Sequence, residues 1–352
     1  MPDIKIACWN LQNLFDTTAS DIAADFEFTP AEGWTPAVFD AKVKNLASII
    51  KQMHGGAGPD LLGLCEVENK FCIESLLAEI GRPDYAIAHI DSPDLRGIDA
   101  TLVYSTSVFK APPDADIKAH AVQLRYPTRD IFEVRLELIE TNTELLVLVN
   151  HWPSRRQGQF ETEPHRITVA ELCGRIVDEF LKFSRIDFLN PPGGVLTLRD
   201  LNDRWNRNVL VMGDLNDEPF DRSVLHYLLA GKDLDHIEEL LRPAHDKPLP
   251  DAKTYLEKSA YLFNAMWPLL GTPDQGTFYF AEATNSMNLL DQFMVSRGLF
   301  FGARGLKFDP ASVQIFRAPE MTTPKGRPKA FDKKTSKGYS DHFPIQSLIQ
   351  VI

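Results

Sequence analysis

Apolar residues recur in two rhythms along this chain, and each rhythm predicts its own kind of element. Phe39, Val43, Leu46, Ile50 and Met53 fall at spacings of three and four and predict an amphipathic helix that ends at HGGAGP, residues 54 to 59. Phe71 to Ile80, Ile167 to Lys182 and Asp221 to Ala230 carry the same period, with Thr162, Glu163 and Pro164 as a helix start. Short apolar runs predict strands at Ile4 to Asn10, Leu61 to Glu68, Tyr85 to Ile90 and Ala100 to Tyr104. Further strands are expected at 117–124, 130–139, 144–150, Val209 to Met212, 277–280, 289–295 and after His342. Between them lie four polar or Pro/Gly-rich stretches, near 16–36, 185–207, 242–276 and 300–338. With no internal repeat and no clear linker, residues 1–352 read as one domain carrying loop insertions.

Composition narrows the class. The 352 residues are 44% hydrophobic, yet no apolar run approaches the roughly 18 residues of a membrane span. No signal core follows Met1, so the chain reads as cytoplasmic, with secretion left to a leader already removed. Cys8, Cys65, Cys72 and Cys173 lack metal-ligand spacing and read as free thiols. The net charge of −12 argues against a protein held on nucleic acid by its overall field. One arm departs from that balance, because residues 317–337 hold seven basic residues against two acidic ones.

The candidate chemistry sits where strands end. Asn10, Glu66, His151, Asp214 with Asn216, Asp291, and Asp341 with His342 each stand at or near such an end. Singly, each is read as easily as a strand cap, a turn residue or a core histidine. Together, carboxylates and amides converging from several strands make a hard oxygen-rich site suited to Mg2+ or Mn2+. Two histidines beside them supply proton transfer and charge stabilisation, a combination suited to phosphate-ester hydrolysis.

Six blocks then stand in order: Trp9 with Asn10, LCEVEN around Glu66, NHWPSRR at 150–156, GDLNDEP at 213–219, LLDQFMVS at 289–296 and YSDHFP at 339–344. Together they resemble the endonuclease/exonuclease/phosphatase superfamily, the deoxyribonuclease I-like fold. The pattern is most similar to uncharacterised bacterial members. The resemblance implies an α/β (α+β) four-layer sandwich, two mixed β-sheets packed face to face with helices on both outer sides. The strand pattern alone also allows a doubly wound sheet. By resemblance, Glu66 is the main metal ligand, with Asn10 and Asp341 close to the ion. Asp214 orients or deprotonates the attacking water and Asn216 fixes it. His342 contacts the scissile phosphate, Asp291 holds its imidazole, and His151 stabilises charge on an oxygen. A block around RGIDATLVY adds Arg96 as a phosphate contact and Asp99 as a partner for His151, with Arg155, Arg156 and Arg166 as further candidate phosphate ligands.

On substrate, the chain lacks the tryptophan before GD of the inositol phosphatases and the extra asparagines of the abasic endonucleases. The expected activity is a Mg2+- or Mn2+-dependent phosphodiesterase, a nuclease on DNA or RNA, with the basic arm gripping the backbone and the aromatic loop 26–34 stacking a base. The alternatives are a phosphatase or phosphodiesterase on a small sugar, lipid or nucleotide phosphate, and a binding protein that keeps the fold without catalysis. The intact acidic and histidine set opposes the last.

Overall fold

The computed structural model describes residues 3–19, 26–191, 193–238, 252–273, 275–281 and 285–352. Two large mixed sheets form its centre. The six-stranded sheet runs in the spatial order Leu306–Ile315, Ile345–Val351, Ile4–Leu14, Leu61–Val67, Asp99–Ser105 and Tyr85–Ala88. The seven-stranded sheet runs Ile117–His120, Ile131–Glu137, Glu144–His151, Asn208–Asp214, Asp291–Ser296, Leu262–Asn264 and Ala230–Gly231. A separate hairpin pairs Phe278–Phe280 with Ser286–Asn288.

Alternation along each strand makes the layers. Ile4, Ile6 and Cys8 of the first strand join Leu210, Met212, Val147 and Val149 of the other sheet in one core between the sheets. The intervening Ala7, Trp9 and Leu11 face outward and are covered by helices Pro36–Ile50 and Lys70–Ile80. Val209, Val211, Leu146 and Leu148 likewise face helices Gln159–Leu181 and Leu198–Trp205. A period of two thus buries both faces of each central strand, and the expected four-layer sandwich is what forms. The sheets approach closely at Gly63, where a Cβ would meet Met212 Sδ at 2.8 Å.

Some elements differ from the sequence reading. The excursion expected at 300–338 contains an edge strand, Leu306–Ile315, whose register slips between Asp309 and Gln314. That slip breaks the alternation that would have announced it. The helix expected at 221–230 is reduced to one π-type turn, Ser223–Tyr227. The long helix over the seven-stranded sheet begins at Gln159, ahead of the expected start, and runs through Pro164. The stretch 185–207 folds into two short helices, the second closed by a capping box between Thr197 and Asp200. Part of the 242–276 stretch lies outside the described residues. The four cysteines are buried free thiols, and no described helix is long and apolar enough to cross a membrane.

Register places the chemistry. Asp214 is paired with His151 on one side and with Asp291 on the other, so three neighbouring strands deliver one row of side chains at the sheet end. Gly213 makes this row approachable: its φ is +143°, and a Cβ there would lie 1.9 Å from Asn150 O on the neighbouring strand. Gly213→Ala is expected to cost about 3 kcal/mol or more of stability through that backbone clash. Thermal unfolding checks it, and an unchanged Tm would contradict the packing described.

Candidate active site

The site forms where the ends of the two sheets face each other. Asn10 is the bridge, donating through Nδ2 to Asp214 Oδ2 at 3.0 Å and to Glu66 Oε1 at 3.3 Å. Its Oδ1 accepts the Gln12 N–H at 2.9 Å, which fixes the amide orientation. Asn10 therefore lies beside both carboxylates, turns a donor toward them and clamps them.

Glu66 is aimed by its backbone. It sits at φ +62°, at a register slip between Cys65 and Val67, so a bulge re-directs a side chain that regular alternation would send elsewhere. Its Oε2 accepts the Asn13 N–H at 2.8 Å. Gln12, Asn13 and Asn216 also have positive φ, so four of the nine such non-glycine residues described crowd this site. Strain concentrated in one place marks a geometry held by its surroundings.

Asp214 is buried and triply held. Asn216 N–H donates to its Oδ1 at 2.9 Å, while Asn216 Nδ2 donates to Trp152 O at 3.0 Å. Burial, then the charge of Asp291, push the Asp214 carboxyl up to about 6 against the opposing effects of His342, Asn216 and Asn10. His342 Nδ1 lies 2.7 Å from Asp291 Oδ2, and its Nε2 faces Asp214 Oδ2 at 3.7 Å. Burial works against a charge on this ring, but Asp291, Asp214 and Asp341 override it and hold its pKa well above the ordinary value. Trp9 Nε1 donates to His342 O, and Ser340 Oγ accepts the His342 N–H while donating to Asn10 O.

His151 is the opposite case. Its Nε2 stands 3.7 Å from Glu66 Oε1 and 3.8 Å from Asp214 Oδ2. Burial, Arg129, Arg96 and His342 hold its pKa well below the ordinary value. The site thus favours the charged form of one imidazole and the neutral form of the other, with both Nε2 atoms within 3.8 Å of Asp214 Oδ2.

The donor set fits a hard divalent cation. Burial and the charge of Glu66 raise the Asp341 carboxyl, with His342 and Lys42 easing it. Two carboxylates held in mutual repulsion, with oxygen donors and no thiolate, are the environment a magnesium-like ion relieves. Glu66 and Asp341 are the residues that would hold it.

Three arginine assignments and one carboxylate pairing are decided by contacts. Arg155 and Arg166 are corrected: Arg155 pairs with Asp217 at 3.0 Å and Asp221 at 2.5 Å, and Arg166, with 0% side-chain exposure, pairs with Asp217 at 2.8 Å. Their guanidiniums are buried in ion pairs with Asp217 and Asp221. Arg156 is exposed at the rim. Arg96 donates to Asn13 Oδ1 at 3.2 Å, beside the centre. Asp99 does not join His151. It accepts the Ser92 N–H at 2.9 Å, and its other oxygen is 3.6 Å from His89 Nε2; burial pushes this carboxyl up to about 7 against the Ser92 hydrogen bond. With Asp91 these groups form a small His/Asp cluster at the sheet edge. Glu68 accepts the Asp16 N–H and supports the neighbouring turn.

The aromatic loop is also corrected. Phe28 stacks on Phe15 at 4.2 Å and Trp34 is buried with its Nε1 on Phe15 O, leaving only Phe26 of these rings exposed, at 68%. In the basic arm, Arg317 covers the Phe343 ring and Arg327 the Tyr279 ring, at 4.5 and 3.4 Å. Lys325, Lys329, Lys334 and Lys337 remain exposed.

Sequence reasoning missed Lys42. It is buried, and its Nζ donates to the carbonyls of Gln12 and Asn13, the two strained residues whose turn presents an N–H to Glu66. Burial lowers its pKa to about 8 against the charges of Asp341 and Glu66. The signal was present: Lys42 falls three after Phe39 and four before Leu46, on the apolar stripe of its helix.

Convergent carboxylates, a charged and a neutral histidine, and an oxygen-rich cation site at the rim of a two-sheet sandwich define a phosphoester-hydrolase type of centre. The chain belongs to the Endonuclease/Exonuclease/phosphatase family, whose model matches residues 5–351. No curated protein matches the sequence. Among solved structures it is similar to mannosyl-6-phosphatase Bt3783 of Bacteroides thetaiotaomicron VPI-5482, with 14% identity over 99% of each chain and a TM-score of 0.54. It is also similar to a family member from Bacteroides vulgatus, with 14% identity over 100% of each chain and a TM-score of 0.53. A humanized D. rerio TDP2 gives 13% identity over 99% of each chain and a TM-score of 0.53. At these identities the likeness establishes a shared fold.

Lys42→Met is expected to weaken Mg2+ binding by roughly 10- to 100-fold, the usual cost of losing a support behind a metal ligand. Calorimetric titration with Mg2+ measures this, and wild-type affinity would show that the Gln12–Asn13 turn holds Glu66 unaided.

Proposed function

We propose that this chain is a divalent-metal-dependent phosphodiester hydrolase, a nuclease acting on DNA or RNA by in-line attack of water. The observation that carries this reading is the pair formed across the site by His342, charged and anchored on Asp291, and Asp214, a buried carboxylate 3.7 Å from its Nε2. A phosphoryl group approaching the open end of this pair meets a proton acceptor and a fixed positive donor side by side.

Asp214 takes the proton of the attacking water. A carboxyl raised to about 6 is a better proton acceptor than an ordinary aspartate and still ionised at neutral pH. Asn216 and Asn10 hold its two oxygens, so the base does not rotate away. His342 donates from Nε2 to a nonbridging oxygen, and Asp291 fixes the tautomer that allows this. His151, neutral and facing Glu66 and Asp214, donates a hydrogen bond to phosphate or leaving-group oxygen without adding charge. When bound by Glu66 and Asp341, the cation supplies Lewis-acid neutralisation of the phosphate. The exposed lysines of the arm at 317–337 provide the long-range attraction for a polyanion.

A second reading, a phosphatase on a small phosphorylated sugar, is favoured by the structural likeness to a mannosyl-6-phosphatase. Substrate tests separate the two. Glu66→Ala, Asp214→Ala and His342→Ala are each expected to lower Mg2+-dependent hydrolysis of bis-p-nitrophenyl phosphate by on the order of 1000-fold, with EDTA abolishing wild-type turnover. Oligonucleotide cleavage should fall steeply with added salt. Full activity in Asp214→Ala, or turnover of monoesters alone, would overturn the proposal.

A further inference from the structure

A pocket of about 380 Å³ opens beside the catalytic centre, lined among others by Leu95, Arg96, Tyr126, Arg129, Arg156 and His165. Two contacts tie it to the chemistry. Arg96 donates to Asn13, whose N–H holds Glu66. Arg129 donates to His151 O and, at 2.7 Å, to Trp152 O.

The two sides of this pocket differ in chemistry. Arg96, Arg129 and Arg156 line one part, and the single carboxylate among the lining groups, Asp94, pairs with Arg129 at 3.2 Å. Arg96 and Arg156 have no carboxylate within ion-pair distance among the described residues. Arg96 is destabilised by burial and by the charges of Arg129 and Arg156, with Glu66 and Asp94 opposing. A cluster of like charges left with too few partners favours an anion. Another part of the lining is apolar and aromatic. Leu95 and Tyr126 are 53% and 43% exposed, and the Tyr126 hydroxyl is fixed at 3.0 Å from His165 Nδ1 with the rings edge-on at 5.4 Å. A held, solvent-facing phenol beside unpaired guanidiniums matches a ligand that joins an anion to a flat ring.

Resting on the reading of the centre as a phosphodiester hydrolase, we propose that this pocket is the subsite for the nucleotide flanking the scissile phosphate. Arg96 and Arg156 take that nucleotide's far phosphate, and its base lies on Tyr126. The pocket's volume falls within the roughly 300–1000 Å³ of small-ligand sites, enough for one nucleotide. It makes Tyr126 and Arg156 specificity residues: they act on binding of the flank and leave the reacting phosphate to the centre.

Calorimetric binding of thymidine 3′,5′-bisphosphate in the presence of Mg2+ tests this without requiring diester turnover, with inorganic phosphate and mannose 6-phosphate as comparison ligands. The bisphosphate should bind more tightly than either, and Tyr126→Ala and Arg156→Ala should each weaken it by roughly tenfold, with Tyr126→Ala leaving inorganic phosphate unchanged. In turnover, the preference for a short oligonucleotide over bis-p-nitrophenyl phosphate should shrink by a similar factor in both variants. Bisphosphate affinity no greater than that of inorganic phosphate, or equal affinity in wild type and both variants, would overturn the subsite. Tighter binding of mannose 6-phosphate would overturn it in favour of a sugar ligand. Failure of the wild type to hydrolyse bis-p-nitrophenyl phosphate, with the bisphosphate pattern intact, would strike the hydrolase reading alone.

Discussion

The arrangement depends on carboxylates from two sheets being brought within reach of one amide. Asn10 donates to Glu66 from its own sheet and to Asp214 from the other, so a single side chain joins the layers at the point where their cores end. Buried carboxylates repel one another, and leaving them unpaired in a low-dielectric rim is costly. The fold offsets this locally through the imidazolium of His342, Asn13 and Asn216 N–H groups and the buried ammonium of Lys42. What is left over is negative charge centred on Glu66 and Asp341, the two residues that would hold a cation.

That constraint explains where strain and burial occur. Gln12, Asn13, Glu66 and Asn216 adopt left-handed backbone conformations because regular strand geometry would aim their groups away from the shared centre. Asp217 illustrates the complementary arrangement. It lies three residues beyond Asp214 and is neutralised internally by Arg155 and Arg166, which anchors the loop that carries Asn216. Arginines next to a phosphate-handling motif are therefore divided between holding the motif and facing the substrate, and burial decides which is which.

Much of this was legible in the sequence. The core strands announced themselves through continuous apolar runs such as Val209 to Met212, and the six ordered blocks named the family. Asn10, Glu66, His151, Asp214, Asn216, Asp291 and His342 are brought together as expected, because each lies at a strand end where period-two alternation stops. Other features depended on three-dimensional pairing. Nothing local distinguishes Arg155, paired with Asp221 and Asp217, from exposed Arg156. Trp34 and Phe28 read as an aromatic loop because their packing on Phe15 and on the distant Phe331 leaves no local pattern. The edge strand Leu306–Ile315 was hidden by its register slip, and Asn10's role by the orientation of its amide.

The chemistry of the site turns on opposite charge states of its two histidines. Nitrogen-15 NMR of imidazole-labelled protein at neutral pH reads those states directly. His342 is expected to show the doubly protonated imidazolium pattern and to keep it well above the ordinary histidine value of about 6.5, while His151 shows a single neutral tautomer throughout. A neutral His342 at pH 7, or a charged His151, would contradict this.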